Sequence, residues 1–215
     1  MKATDILLNL GRTYAATAAY RDAGRVIWPH RGQNVDQMTI GAFRTAFVRS
    51  KGFRFEYREI SSHGRLHDSS SRRTFSIRVE QGRVVDIHGF QSSRESVDLA
   101  VASLTGITFG AAQCALRLLL PDEISGRALS EAPSADLDRT YTVEGKTCFA
   151  LRLNGWYADE IIVDEEFMLR RVGSVRRRTV HRRPTTGVDE PRFARALVYE
   201  PERFAEEPQD LTLDW

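Results

Sequence analysis

The sequence contains little cysteine, little lysine and no long apolar run. Two cysteines in 215 residues, Cys114 and Cys148, are too few for a disulfide framework or for a four-cysteine zinc site. The longest apolar stretch, 114–121, is much shorter than the roughly 18 residues that a membrane-spanning helix requires. Motifs of serine hydrolases, phosphate-binding loops, dinucleotide-binding folds and dithiol redox centres are also absent. The sequence carries no signature of catalysis, and we expect neither an enzyme nor a cofactor.

The charge is nearly balanced, and arginine carries almost all of the positive charge. Lysine occurs three times, so 28 of the 31 basic residues are arginine, and 29 acidic residues leave a formal net charge of +2. One run of seven arginines contains no acid: Arg170, Arg171, Arg176, Arg177, Arg178, Arg182 and Arg183. No aromatic residue separates these arginines for stacking on bases, so we expect a solvated strand face and no nucleic-acid partner.

The apolar residues of the first half change from a helical period to a period of two. Apolar residues at helical spacing predict a helix over 4–20, with Thr4 as its cap and Gly24 ending the segment. Aromatic residues then alternate with polar ones, which is typical of strands with one buried face. We expect strands over 25–28, 38–48, 53–58, 75–79 and 84–87, and a polar loop over 61–73.

The middle of the chain is predicted to be helical, and the remainder returns to strands. Ser92 and Glu95 form a capping-box pattern before a helix that ends near Gly106. Thr108 can cap a second helix that stops near Pro121, and a connection over 122–138 follows. Short runs flanked by turn signals predict strands over 140–143, 147–153, 157–163, 167–172, 175–183 and 193–199.

Successive strands joined by short turns predict an antiparallel meander rather than parallel βαβ units. The predicted fold class is α+β. We expect a strongly curved antiparallel open half-barrel sheet, with an N-terminal helix and two central helices covering its concave face, in a single domain over 1–215. The alternative is a cone-shaped helix–sheet fold of the nuclear-transport-factor type, which needs longer N-terminal helices than 4–20 supplies.

Several short motifs follow one another in a characteristic order. They are the turn Tyr-Arg-Asp-Ala-Gly at 20–24, through which the chain enters the first strand, an aromatic stretch at 43–57 with the corner Arg49-Ser50, and the segments 118–122, 145–149 and 162–171. In this order they resemble the bacterial lipoprotein-carrier superfamily, which includes the periplasmic lipoprotein carrier and outer-membrane lipoprotein-sorting proteins. That family has proline at the position of Ser50. The resemblance implies an open half-barrel whose concave face is plugged by helices.

The resemblance also implies a role for Arg49. In the family, the arginine of this corner donates hydrogen bonds to backbone carbonyls of a lid helix and holds the cavity closed. A guanidinium has five donors and no acceptor, and the last carbonyls of a helix are unsatisfied. We therefore expect Arg49 to act as a lid latch on a helix end near 104–106 or near Leu119. The alternative is an ordinary solvated arginine.

Twelve apolar residues are expected to bind the ligand. Small side chains over 110–115 leave room beneath a helix for an acyl chain, and each buried methylene of a ligand is worth ~0.8 kcal/mol. The expected ligand-binding residues are Phe43, Phe47, Phe53, Phe55, Tyr57, Phe75, Ile77, Leu104, Ile107, Leu118, Phe149 and Leu151. The same alternation also fits an ordinary hydrophobic core.

The two cysteines and one pair of histidines can each be interpreted in two ways. Cys114 and Cys148 are candidates for one disulfide, or for two buried thiols. His63 and His67 have the spacing of a metal-binding pair, but Gly64 makes this segment a poor helix, so we expect no metal site.

We expect a non-enzymatic carrier or binding protein of the cell envelope that holds a lipid or acylated ligand in the half-barrel. The protein would be a monomer with a transient protein partner at the envelope. The alternative is a protein–protein sensor or regulator on the same fold, without lipid cargo. The first residues contain no apolar signal region, so the expected location is periplasmic or extracytoplasmic if a native signal peptide has been removed, and otherwise cytoplasmic.

Overall fold

The computed structural model describes the chain in eight stretches: 1–28, 38–62, 65–66, 73–92, 94–143, 145–154, 158–175 and 194–204. In these stretches the helices are α1 (Ala3–Ala15), α2 (Val97–Ile107) and α3 (Ala111–Leu119), with a single 3-10 turn at Leu129–Glu131. The strands are β1 (Ala19–Trp28), β2 (Met38–Val48), β3 (Gly52–Glu59), β4 (Ser61–Ser62), β5 (Arg65–Leu66), β6 (Thr74–Glu80), β7 (Arg83–His88), β8 (Ser134–Val143), β9 (Lys146–Asn154), β10 (Glu160–Asp164), β11 (Leu169–Val175) and β12 (Ala194–Phe204).

Ten of these strands form one antiparallel sheet. Their order is β7-β6-β3-β2-β1-β12-β11-β10-β9-β8, and β4 and β5 pair only with each other. The chain begins at the centre with β1, moves outward to the edge strand β7, crosses to the opposite edge at β8 and returns until β12 pairs with β1. Among the described strands, β7 and β8 remain edges, so the sheet is open. The predicted α+β class with an open antiparallel sheet and three helices is confirmed.

The crossing from β7 to β8 determines where the helices lie. Because these strands are at opposite edges, the chain between them passes over one whole face of the sheet, and α2 and α3 lie in this passage. Helix α2 contacts β6 and β7, α3 packs between α2 and α1, and α1 contacts β8. Register shifts within four strand pairs, such as β1 with β2 and β8 with β9, bend the sheet locally.

Alternation along the strands places aromatic side chains on the face beneath the helices, which we call the inner face. In β3, Phe53, Phe55 and Tyr57 are buried on this face, while the arginine and glutamate residues between them lie on the outer face. Full burial of a side chain of this size stabilises the fold by ~1.5–3 kcal/mol. Most of the core is therefore one apolar cluster between the inner face and the helices.

The N-terminal helix is shorter than predicted. It ends at Ala15 rather than at residue 20, because Ala19 and Tyr20 already pair with both β2 and β12. The N–H and C=O groups of these residues are used in the sheet, so the same residues cannot also continue the helix. Consequently the segment 20–24, predicted as a turn before the first strand, is part of β1.

Two other boundaries also differ from the prediction. Helix α2 begins after Ser96, whose Oγ accepts a hydrogen bond from the Leu99 N–H at 3.3 Å, whereas Ser92 lies beside the helix and contacts Ser103 at 3.1 Å. Strand β8 begins at Ser134, within the predicted connection, because its backbone pairs with the full length of β9. The predicted loop over 61–73 and the strand over 175–183 lie largely outside the described residues.

Close packing at the centre of the sheet yields a test of stability. A Cβ added at Gly24 would lie 2.1 Å from the Phe43 ring, so Gly24→Ala should lower the free energy of unfolding by about 1–3 kcal/mol, the usual cost of overpacking. Urea denaturation measures this change. Gly106→Ala is the control, because the space around this helical residue is open and alanine is the better helix former. That variant should be neutral or up to about 1 kcal/mol more stable, and equal losses in both variants would contradict the packing of Phe43 on Gly24.

Candidate functional site

The twelve residues predicted to bind the ligand lie together beneath the helices as a packed core. Ten of them are buried, and Ile107 and Phe149 are partly buried against the same cluster. A relative exposure of 0% is found for Phe53, Phe55, Ile77, Leu104 and Leu151. Side chains that border an empty cavity keep some surface accessible to water, so no open groove borders these five residues in the closed structure.

Small side chains on α3 explain why this space is filled. Ala111, Ala112 and Ala115 are buried, and small residues shorten the distance at which a helix packs on its neighbours. Helix α3 therefore approaches the core closely instead of leaving room above it. Among the described residues, the space around the five fully buried side chains is therefore filled by packed atoms.

Arg49 joins the end of β2 to the ends of two helices. Its Nε donates to the Thr17 carbonyl oxygen at 3.0 Å, and its Nη2 donates to the carbonyl oxygens of Tyr14 at 3.4 Å and Leu119 at 3.3 Å. Its backbone N–H donates to the Ala18 carbonyl oxygen at 2.9 Å. The Tyr14 carbonyl lies in the last turn of α1, and the Thr17 carbonyl lies just beyond the end of this helix. Leu119 is the last residue of α3. One guanidinium therefore spans both helix ends.

These contacts use carbonyl groups that the helices cannot satisfy themselves. The last carbonyls of a helix carry partial negative charge, which a guanidinium complements. The Arg49 guanidinium also lies over the Phe47 ring, 5.1 Å from its centroid. Arg49 is nevertheless exposed, so water competes for its donors and each hydrogen bond contributes about 1 kcal/mol or less. The arginine thus connects the ends of α1 and α3 to β2 through hydrogen bonds that solvent can reach.

A second set of polar contacts holds the segment that follows α3. Arg117 of α3 donates to the Gly126 carbonyl oxygen at 3.1 Å and to the Glu131 carboxylate at 3.1 Å. Asp98, in the first turn of α2, accepts hydrogen bonds from the Ser125 backbone N–H at 2.8 Å and from its hydroxyl group. Helices α2 and α3 and the segment after them therefore form one connected cover over the inner face.

A carboxyl group lies in the core beneath this cover. Asp22 projects from β1 onto the inner face, between Tyr20 and Gly24, and is only 5% exposed. The Tyr20 hydroxyl donates to Asp22 Oδ2 at 2.8 Å, whereas Oδ1 finds no hydrogen-bond partner of normal geometry in the part of the chain that the structure describes. Burial raises the pKa of Asp22 from its ordinary 3.8 to about 7, although hydrogen bonding to Thr45 and Tyr20 offsets part of the rise.

Three buried tyrosines lie near this carboxyl group. The Tyr14 hydroxyl accepts a hydrogen bond from the Leu169 N–H at 3.2 Å, and its ring centroid is 5.4 Å from that of Tyr20. Within the described stretches, the Tyr199 hydroxyl has no hydrogen-bond partner of normal geometry, and the Cys114 thiol beside it is a weak partner. Burial raises the pKa of all three hydroxyl groups well above the ordinary value, so each tyrosine stays neutral.

The two cysteines are separate thiols, so the disulfide considered from the sequence is not formed. Cys114 on α3 belongs to the core, whereas Cys148 lies on the outer face of β9 in a small cluster with Ala150 and Ile162. Because the two thiols lie on opposite sides of the sheet, their side chains cannot approach to disulfide distance.

The first arginine of the basic run has a structural role. Asp164, at the end of β10, is fully buried and pairs with Arg170 at 2.7 Å. Its Oδ1 also accepts hydrogen bonds from the backbone N–H groups of Glu166 and Met168 at 3.0 and 2.9 Å. The carboxylate thus fixes the turn between β10 and β11. Residues 176–183 of the run lie outside the described residues.

Other candidate sites receive little support. His63 and His67 lie outside the described residues, and within the described stretches no three histidine, cysteine or acidic side chains are grouped so that they could hold a metal ion. Within the same stretches, none of the helices has the length and apolar character needed to cross a membrane.

An open groove of about 280 Å³ lies on the outer face of the sheet, away from the helices. Its charged residues form weak exposed pairs, Arg25 with Glu200 at 3.9 Å and Arg58 with Glu56 at 4.0 Å. The lining residues are Ala23, Gly24, Arg25, Ala42, Phe43, Arg44, Glu56, Arg58 and Glu200. The groove contains only one of the twelve predicted ligand-binding residues, Phe43, and no part of the cover.

Asp22 and its tyrosine neighbours are absent from the sequence prediction. A turn over 20–24 gives these residues no common face, so the prediction does not place Asp22 in the core. In a strand that begins at Ala19, the side chains of Tyr20, Asp22 and Val26 lie on the same side. Tyr20 and Val26 are large and apolar enough for a core, which indicates that this side is buried. The period-two alternation is therefore the signal that could have located the carboxyl group.

Comparisons with known proteins give structural similarities of low identity. No family model matches the sequence, and no curated protein sequence matches it. The LolA superfamily protein from Nitrosomonas europaea is 9% identical, with a TM-score of 0.31 over 94% of this chain and 93% of that one. The MucA/MucB complex of Pseudomonas aeruginosa gives 12% identity and a TM-score of 0.42, over 97% of this chain and 59% of that one.

A domain from Vibrio parahaemolyticus, described as an outer membrane lipoprotein-sorting protein domain, is 8% identical with a TM-score of 0.27, over 95% of this chain and 94% of that one. The superfamily that the sequence motifs resemble is thus represented among the similar solved structures. None of these superpositions reaches a TM-score of 0.5.

The buried carboxyl group predicts a specific pH dependence of stability. Between about pH 4 and pH 7, folded Asp22 keeps a proton that the unfolded chain releases, so the free energy of unfolding falls as pH rises through this window and then levels off. A shift of this size corresponds to on the order of 4 kcal/mol. Asp22→Asn should remove this dependence and be more stable than the wild type at pH 8, as measured by urea denaturation at pH 5 and pH 8.

The control for this prediction is Asp86→Asn, which changes an exposed carboxyl group on β7. It should retain the wild-type difference between the two pH values. If the stability of Asp22→Asn follows the same pH curve as the wild type, the Asp22 carboxyl group is not buried as described.

Proposed function

We propose that this chain is a non-enzymatic binding protein of the cell envelope that takes a lipid or acylated ligand between the inner face of the sheet and the helices. The observation that carries the proposal is Arg49, whose exposed guanidinium holds the ends of α1 and α3 over an aromatic inner face. Release of the Arg49 contacts allows α3 to move and uncovers the aromatic residues.

The energetics of this exchange are favourable for a long apolar chain. Moving α3 exposes apolar surface, and a ligand that replaces the helix covers that surface again. At ~0.8 kcal/mol for each buried methylene, a chain of about ten methylenes contributes ~8 kcal/mol, which offsets the cost of the apolar surface that the moving helix exposes. A ligand of this kind can therefore compete with the helix without a cofactor or a covalent step.

The proposed binding surface consists of the twelve residues named from the sequence. Strands supply nine of them, while Leu104 and Ile107 come from α2 and Leu118 comes from α3. The helix residues are the ones that move, so they would contact the ligand from the side of the cover. We propose that the whole chain acts as one monomeric domain, located outside the cytoplasm after removal of a signal peptide, with a transient protein partner at the envelope.

A second candidate function is that of a protein–protein sensor or regulator on the same fold, without lipid cargo. The filled core favours it, because the closed structure needs no ligand to satisfy its apolar surface. In that case a protein partner would displace the helices, or it would bind while the helices stay in place.

Mass spectrometry of the purified protein separates these two candidates. Under native conditions, the carrier should show a second species heavier by the mass of one lipid or acyl chain, and that species should disappear after extraction with organic solvent. Protein that is free of lipid after mild purification, and that does not take up lipid from vesicles, would support the sensor and contradict the carrier.

The latch itself is tested by substitution. Arg49→Leu removes the hydrogen bonds to both helix ends, so we expect faster backbone hydrogen exchange in α3 and at the end of α1. We also expect stronger binding of the dye ANS, because the aromatic inner face is uncovered more often. The loss in the free energy of unfolding should be only about 1–2 kcal/mol, since the arginine is exposed.

Arg44→Leu is the matched control, because this exposed arginine lies on the outer face of the same strand. It should leave hydrogen exchange in α3 and dye binding unchanged. If Arg49→Leu and Arg44→Leu behave alike, Arg49 does not hold the cover closed.

A further inference from the structure

Two polar atoms without normal partners lie at the border of the proposed binding site. Asp22 Oδ1 and the Tyr199 hydroxyl oxygen each have less than 1 Å² of accessible surface and no hydrogen-bond partner of normal geometry among the described residues. Buried polar atoms usually have a partner, because leaving one unsatisfied is costly. Two such atoms in one core call for an explanation in terms of what binds there.

The two residues are neighbours on the inner face. Strands β1 and β12 are paired so that Asp22 is opposite Pro201 and Gly24 is opposite Tyr199. Asp22 and Tyr199 are therefore diagonal neighbours, within reach of one small ligand group. The Tyr199 ring packs edge-on against Phe43 at 5.1 Å between centroids, so the polar pair borders the aromatic surface proposed to hold an apolar chain.

The cover lies directly over this pair. Cys114 of α3 is beside Tyr199, and Tyr14 of α1 is beside Tyr20, which holds the other oxygen of Asp22. Helices α1 and α3 are the two that Arg49 fastens. Movement of α3 would therefore expose the Tyr199 hydroxyl and the aromatic surface together.

The chemistry of the pair selects one kind of ligand group. A carboxylate oxygen accepts a hydrogen bond, and a tyrosine hydroxyl donates one. An amide provides both complements, an N–H for Asp22 and a carbonyl oxygen for Tyr199, whereas an ester provides only the carbonyl. The groups that hydrogen-bond to Asp22 belong to Tyr20 and Thr45 and carry no positive charge, so an anionic head group would meet a carboxyl group without a compensating cation.

We propose that Asp22 and Tyr199 together recognise an amide group at the head of an apolar chain, so that the preferred ligands are neutral fatty amides rather than fatty esters or fatty acids. This inference rests on the proposed binding function and adds the chemical class of the ligand. In the bound state, the amide N–H donates to Asp22 Oδ1 and the Tyr199 hydroxyl donates to the amide carbonyl oxygen.

The test is displacement of a hydrophobic dye by three probes of equal chain length: dodecanamide, methyl dodecanoate and dodecanoate. Binding is measured at pH 8 and below the concentration at which the probes form micelles. Asp22→Val removes the acceptor and should weaken dodecanamide binding roughly three- to tenfold while leaving methyl dodecanoate unchanged. Tyr199→Phe removes the donor and should weaken both of these neutral probes by a similar factor.

Tyr141→Phe serves as the control, because Tyr141 packs on the outer face with Cys148. It should change none of the affinities. Unchanged binding of methyl dodecanoate also shows that Asp22→Val remains folded.

If Asp22→Val weakens the amide and the ester equally, or neither of them, the recognition of an amide is wrong while the binding function stands. If none of the three probes displaces the dye from the wild type or from Arg49→Leu, the binding function fails and this inference fails with it.

Discussion

The aromatic inner face of an open sheet has to be kept from water, and the rest of the structure depends on how this is done. A closed barrel would cover such a face with its own strands, but here β7 and β8 remain edges among the described strands. The chain passes from one of these edges to the other, so its path brings α2 and α3 across the face. The cover is therefore a consequence of strand order, and it consists of short helices.

Two kinds of interaction hold this cover, and they differ in how easily they are exchanged. Apolar burial between helices and sheet is the larger contribution, but it is not specific, and another apolar chain can replace it. The Arg49 hydrogen bonds are weaker, but they are specific for the ends of α1 and α3 and are reached by solvent. The opening of the cover that we propose depends on this second, weaker kind of interaction.

The polar groups within the core act against close packing. Asp22 and Tyr199 each leave a buried polar atom without a normal partner, which weakens the closed state relative to a wholly apolar core. Nearby small side chains on α3 let the helix come close enough to compensate by contact. The contact between α3 and the inner face therefore reflects both effects.

The sequence by itself determined which side chains of the strands face the core. Period-two alternation identified the inner-face aromatics such as Phe53 and Phe55, because a strand with one buried face has apolar side chains at every second position. The expected position of Arg49 at a helix end came from a family resemblance. Only the tertiary structure decided which helix ends it meets, that 20–24 is strand with Asp22 inside, and that the thiols lie on opposite faces. These features depend on contacts between residues far apart in the chain, such as the pairing of β1 with β12, and local periodicity contains no information about such contacts.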